Sequence, residues 1–135
     1  AKECGDRLIV VVGRDSTIFN TKGRSPKFSE QERLKAIQDC ALADEVRLGN
    51  RGNNPHKVIQ EVIPNIICLG YDQTHFTEKL AEKIKDMGLK IDIVRLKPYK
   101  PEIYKSSLLN KTWNLKLETF FTIVMFHVSC FMFHE

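Results

Sequence analysis

Arg7-Leu8-Ile9-Val10-Val11-Val12-Gly13 (RLIVVVG) is an unbroken apolar run, rich in β-branched residues and closed by glycine. A strand exposed on one face alternates apolar and polar residues. A continuous run instead fits a strand buried on both faces, as in a parallel sheet covered by helices. Upstream, Ala1 to Gly5 reads as the last turn of a preceding helix with Gly5 as its stop. The fold is therefore expected to lack its first strand and most of its first helix in this chain. The absence of an initiator Met adds the expectation of a fragment or a processed chain.

Downstream, Asp15 to Lys27 is polar, contains Lys22, Gly23, Arg24 and Pro26, and reads as a long loop. Ser29-Glu30-Gln31-Glu32 is a capping box opening a helix, with Leu34, Ile37, Cys40 and Ala41 on its apolar side. Asp44 to Leu48 is a short strand. Asn54-Pro55 supplies an N-cap and first helical position, Val58, Ile59, Val62 and Ile63 a buried stripe, and Pro64 the stop. Asn65 to Leu69 (NIICL) is a third buried strand. Thr74 to Met87 reads as a helix with Leu80, Ala81, Ile84 and Met87 inward. Leu89 to Leu96 (LKIDIVRL) alternates as an edge strand does. This order predicts an α/β, Rossmann-like parallel sheet with helices on both faces. Ligands of such sheets bind outside the carboxyl ends of the strands, which puts Gly13 to Lys27, Gly70 to Thr74 and Lys97 to Ser107 on one rim.

At 135 residues the chain has room for one domain, and 42% hydrophobic with 28% charged residues describes a globular protein. The net charge of +4 suits phosphate-bearing small molecules as well as a merely solvated surface. No basic block with interleaved aromatics points to nucleic acid. Cys4, Cys40, Cys68 and Cys130 are scattered, without a metal-ligand pattern, so no metal site is expected and the thiols fit a reducing cytoplasm. The histidines, His56, His75, His127 and His134, form neither H-x-G-H nor H-x-x-x-H. They are expected to be exposed or to border the core.

Cations at Arg14, Lys22, Arg24 and Lys27 follow a strand end and could hold a polyphosphate, although a mobile basic loop has the same composition. Arg33 lies in the first turn of its helix, where a cation is mildly unfavourable. That placement hints at a task beyond an ordinary surface arginine. In Gly70-Tyr71-Asp72-Gln73, Gly70 permits close ligand approach. Asp72 could accept from ribose hydroxyls or an amino group, or could cap the next helix. The residues alone leave both open.

Taken in order, GDRLIVVVGRDST (Gly5 to Thr17), KGRSPKFSEQERL (Lys22 to Leu34), ADEVRLG (Ala43 to Gly49), IICLGYDQTHF (Ile66 to Phe76) and IVRLKPYK (Ile93 to Lys100), with Ser106-Ser107, resemble the cytidylyltransferase-like nucleotidyltransferases. Archaeal-type FAD synthase (FMN adenylyltransferase) is the group they resemble most. The resemblance spans about Ala1 to Asn110 and implies transfer of AMP from ATP to FMN, giving FAD and pyrophosphate, with a divalent cation such as Mg²⁺. It implies nucleotide binding by Gly70, Tyr71, Asp72 and Tyr99. Phosphate binding is implied for Lys22, Arg24, Arg33, Ser106 and Ser107. Leu108-Leu109 departs from the commoner Ser/Thr-Thr-x-Ile pattern after that serine pair. The alternatives are cytidylyl transfer to a phosphorylated alcohol such as glycerol phosphate or ethanolamine phosphate, and a non-catalytic nucleotide-binding module. The partners expected are small-molecule nucleotides, without nucleic acid or membrane, and a homodimer stays open. The family's first strand, Gly-Thr-Phe-Asp turn and H-x-G-H motif have no counterpart in the sequence, so no catalytic residue is assigned and this polypeptide is expected to be impaired in transfer.

Residues 111–135 fall outside the resemblance. Leu117 to Phe133 is apolar, with Phe120, Phe121, Phe126, Phe131 and Phe133 and only Glu118 charged. A membrane helix needs about 20 such residues. The run lacks basic flanks and an amphipathic stripe, and reads as sequence foreign to the domain, such as read-through or a shifted frame. Whether it packs where the first strand is missing stays open.

Overall fold

The computed structural model describes residues 1–52, 54, 56–71, 73, 77, 79–98, 102 and 128–133. After a single 3-10 turn at Lys2–Cys4, the elements are β1 (Arg7–Val12), α1 (Asp15–Lys22), α2 (Glu30–Asp39), β2 (Glu45–Leu48), α3 (Lys57–Val62), β3 (Ile66–Leu69), α4 (Leu80–Asp86), β4 (Asp92–Arg95) and β5 (Val128–Phe133). The five strands form one sheet in the order β2-β1-β5-β3-β4.

The alternating pleat of β1 feeds two cores. Leu8, Val10 and Val12 join Ile66 and Cys68 beneath Ile37 of α2. Ile9 and Val11 join Ile67 and Leu69 beneath Val58 and Ile59 of α3 and Leu80 and Ile84 of α4. Helices thus cover both faces, and β1 and β3 are buried on both, as a continuous apolar run requires.

β1 pairs parallel with β2, and β3 parallel with β4. β5 pairs antiparallel with both β1 and β3, Arg7–Val12 facing Phe133–Val128 and Ile66–Cys68 facing Met132–Cys130. The sheet is therefore mixed, which corrects the expectation of an all-parallel sheet. The slot between β1 and β3 is the one that the first strand occupies in the 3-2-1-4-5 order of a doubly wound sheet. Here β5, from the apolar tail, fills it in the reverse direction.

Other corrections are local. Asp15 to Lys22 is a helix, not part of a loop. It has weak amphipathic character, with Ile18 its buried residue, and ends at Gly23, whose left-handed φ of 67° lets its N–H reach Phe19 O. Gly5, expected as the stop of a helix, follows a single 3-10 turn at Lys2–Cys4 and is extended. α2 opens on the capping box as expected, but ends at Asp39, leaving Ala41 exposed at φ 53°. The N-cap of α3 is His56, not Asn54; Asn54 Oδ1 instead accepts from His56 N–H at 3.1 Å. Ile63 is 58% exposed rather than part of the buried stripe. α4 starts at Leu80 and leaves Ala81 outward; of the residues expected before it, 74–76 and 78 lie outside the described ones.

Candidate functional site

Because β1 and β3 both run antiparallel to β5, they are parallel to each other, and the carboxyl ends of β1 to β4 share one rim. On the β1 side, the N-termini of α1 and α2 meet and cap one another. Asp15 N–H donates to Glu30 Oε2 at 3.0 Å, and Glu30 N–H donates to Asp15 Oδ2 at 3.2 Å. Carboxylates at helix N-termini satisfy donors that the helices leave unpaired and complement their dipoles. Two arginines flank the pair. Arg14 donates through Nη1 to Glu30 Oε1 at 2.8 Å and through Nε to Gly49 O at 2.6 Å. Arg33 donates through Nη2 to Asp15 Oδ1 at 2.5 Å and through Nε to Phe28 O at 3.1 Å.

Arg33 is only 3% exposed, so it is not the ordinary surface arginine its sequence context suggests. Its Nη1 is buried without a hydrogen-bond partner among the described residues. Among the described residues, Arg33 is therefore held by two bonds, with one nitrogen's donors unused. Arg14 is committed to Glu30 and Gly49 and braces the start of α1 rather than projecting as a free cation. Lys22, the last residue of α1, and Arg24, just past Gly23, are both exposed beyond that braced segment.

The brace responds to acid. The Asp15 N–H, followed by the Arg14 side chain, holds the Glu30 carboxyl below its ordinary value of 4.5, against the opposing pull of burial. A group whose pKa falls on folding stabilises the folded state above its unfolded pKa and loses that contribution as pH drops through the folded value. Stability should therefore decline as pH falls below about 4.5. Glu30→Gln should flatten that part of the curve, as measured by urea midpoints between pH 3 and 7.

On the β3 side, Gly70 and Gln73 close a turn. Gln73 N–H donates to Gly70 O at 3.2 Å, and Gly70 N–H donates to Gln73 Oε1 at 3.2 Å. Arg95, at the end of β4, clamps it. Its Nη1 donates to Gly70 O at 2.9 Å, Gln73 O at 3.0 Å and, more weakly, Tyr71 O at 3.4 Å. A Cβ on Gly70 would meet Gln73 Cβ at 3.7 Å, an ordinary contact, so the turn itself does not demand glycine there.

Of the residues singled out from sequence, Gly70 and Tyr71 lie on this turn, and Lys22, Arg24 and Arg33 lie around the β1 side of the same rim. Asp72, Tyr99, Ser106 and Ser107 lie outside the described residues. The bracing roles of Asp15, Glu30 and Arg95 were not visible beforehand. Arg-Asp directly after an apolar strand, with Glu one residue after an N-cap serine, is the signal that could have suggested the first two. Among the described residues, no group of three or more His, Cys, Asp or Glu side chains could hold a metal ion, and no helix is long and apolar enough to cross a membrane.

Residues 1–112 match the family described as Cytidylyltransferase-like. The chain is 41% identical over 111 residues to FAD synthase of Thermoplasma volcanium, spanning 82% of this chain and 77% of that relative. It is 36% identical over 105 residues to FAD synthase of Pyrococcus abyssi, spanning 78% and 68%. A crystal structure described as the lipopolysaccharide core biosynthesis protein from Thermoplasma volcanium superposes with a TM-score of 0.66 at 42% identity, over 73% of this chain and 80% of that one.

Proposed function

The chain belongs to the cytidylyltransferase-like family, and from that premise we propose that it is an FMN adenylyltransferase, carrying the part of the site that receives ATP. The observation that carries this reading is a single rim presenting a clamped turn after β3 and a cation-bearing segment after β1, in a chain 41% identical to a named FAD synthase. AMP transfer to FMN forms a bond between a phosphate oxygen of FMN and the α-phosphorus of ATP, and breaks the bond from that phosphorus to the leaving pyrophosphate.

Charge accumulates on the pyrophosphate oxygens, so fixed cations beside them lower the barrier. Lys22 and Arg24 are the exposed cations suited to those oxygens, and Arg33 brings the unused donors of Nη1. Gly70, Tyr71 and Asp72, with Tyr99, are assigned to the adenosine, and Ser106 and Ser107 to the phosphates. The turn that Arg95 clamps offers a rigid edge for the nucleoside, which reduces the ordering cost of binding. The described residues form no cage for Mg²⁺; a divalent cation belongs with the nucleotide's own phosphates. A homodimer is compatible with this reading and no step requires it. ATP and FMN as substrates, with unpatterned cysteines, suit the cytoplasm.

The match of residues 1–112 to the family described as Cytidylyltransferase-like supports a second reading on the same rim, cytidylyl transfer to a phosphorylated alcohol. The deciding experiment offers the purified chain FMN with ATP, and glycerol phosphate or ethanolamine phosphate with CTP, and follows products by chromatography. The sequence contains no H-x-G-H, the motif that the resemblance assigns to charge stabilisation at the reacting phosphates. FAD formation is therefore expected to be at most a trace. Robust FAD formation would overturn the assignment of that charge stabilisation to H-x-G-H. A CDP-alcohol product without FAD would favour the second reading.

A further inference from the structure

Arg95 is the last residue of β4, at one end of the strand order, and its Cα lies opposite that of Leu69, the last residue of β3. Leu96 N–H donates to Leu69 O at 2.9 Å, so the pairing of the two strands holds up to the point where the chain enters the Gly70–Gln73 turn. Within that turn the two bonds between Gly70 and Gln73 are both 3.2 Å, at the long end for N–H···O. The bonds from Arg95 Nη1 to Gly70 O and Gln73 O are shorter, 2.9 and 3.0 Å, and carry the charge of the guanidinium. A third, to Tyr71 O, is 3.4 Å. One nitrogen from a neighbouring strand therefore gathers three carbonyls of a single turn. Arg95 is exposed, and changes at exposed positions move global stability little. The effect of these bonds is local, on the shape of the turn.

We propose that Arg95 is a positioning residue for the nucleoside of ATP, acting through the Gly70–Gln73 turn without touching the nucleotide. This role rests on the ATP-receiving reading, which assigns Gly70 and Tyr71 to the adenosine. A turn held only by its own two long bonds samples more backbone conformations, and a ligand that needs one of them binds more weakly by the fraction of time that conformation is absent. The clamp removes that loss before the nucleotide arrives, so its effect belongs in affinity rather than in melting temperature. Because Arg95 orders a turn and contacts no phosphate, it acts equally on every ligand that carries the adenosine and leaves polyphosphate alone unaffected. Lysine is the conservative replacement, since its ammonium keeps the positive charge and three donors for the three carbonyls but lacks the planar fork.

The test titrates the full chain, Arg95→Met and Arg95→Lys with ATP, with adenosine and with inorganic triphosphate, and records a melting curve for each protein. Arg95→Met should weaken ATP and adenosine by the same factor, about tenfold, as lost preorganisation does. Its triphosphate affinity and melting temperature should stay at the parental values. Arg95→Lys should recover most of the loss for both adenosine ligands. A loss confined to ATP, with adenosine unchanged, would put Arg95 on the phosphates and overturn the proposal. Unchanged affinities in Arg95→Met, a parallel loss of triphosphate binding, a lowered melting temperature or Arg95→Lys no better than Arg95→Met would each overturn it as well. A parental chain that binds no ATP would instead overturn the ATP-receiving reading, and this role with it.

Discussion

A chain ended at His127, without β5, is expected to lose cooperative unfolding and to aggregate. Among the described strands, β5 connects the two parallel pairs, β2-β1 and β3-β4. All six residues of β1 pair with it, as do three of the four in β3. Without it the sheet divides into two-stranded pieces, which are at best marginal in water. Each core also spans the divide: Leu8, Val10 and Val12 share one with Ile66 and Cys68, and Ile9 and Val11 share the other with Ile67 and Leu69. The loss should therefore consume most of the about 5–15 kcal/mol that stabilises a domain. Phe131→Pro is the milder form, because position 131 pairs with Ile9 on one side and Ile67 on the other, and proline donates no ladder bond. Far-ultraviolet and near-ultraviolet melting curves measure both effects. A truncated chain that still melts cooperatively at the full-length temperature would contradict the central placement of β5.

Asp15→Ala should have the next largest effect, a loss of about 3 kcal/mol, the lower end for breaking a buried ion pair. The reason lies in Arg33, whose side chain is 4% exposed while that of Asp15 is 40% exposed. Removing the carboxylate leaves a desolvated guanidinium that keeps its bond to the Phe28 carbonyl but has lost its counter-charge, and uncaps Glu30 N–H at the start of α2. The exposure of Asp15 admits some water to the gap, which keeps the effect from the upper end. Arg33→Met should cost less than Asp15→Ala, because it removes the stranded charge and keeps most of the volume. Urea unfolding of the two single variants and the double variant checks this ordering. Asp15→Ala no more costly than Arg33→Met would show that the pair is not acting as a buried one.

The sequence made β1 and β3 legible because RLIVVVG and NIICL are continuous apolar runs of strand length, and α2 because its cap signature is local. Those features depend only on neighbours in the chain. α1 was missed because its pattern is barely amphipathic; tertiary caps from Glu30 and the left-handed Gly23 make it a helix. β5 was missed because apolar residues surround it in sequence and nothing local marks where pairing begins. Its role comes from its place between β1 and β3, which is a property of the sheet. The cations on the rim were recognisable by type, but not their burial. Arg14 and Arg33 look alike in sequence to Lys22 and Arg24, and long-range partners hold the first two inside. The Arg95 clamp joins a strand end to a turn 22 to 25 residues earlier, a pairing that no short spacing encodes.

The most direct test of an ATP-receiving rim is isothermal titration of the purified chain with ATP and, in parallel, with CTP. ATP is expected to bind saturably and more tightly than CTP. A Lys22→Ala/Arg24→Ala variant that melts at the parental temperature should bind ATP about tenfold more weakly, as expected for loss of about 1.4 kcal/mol of phosphate contacts. Absence of saturable ATP binding, or CTP binding as tight as or tighter than ATP, would contradict the assignment.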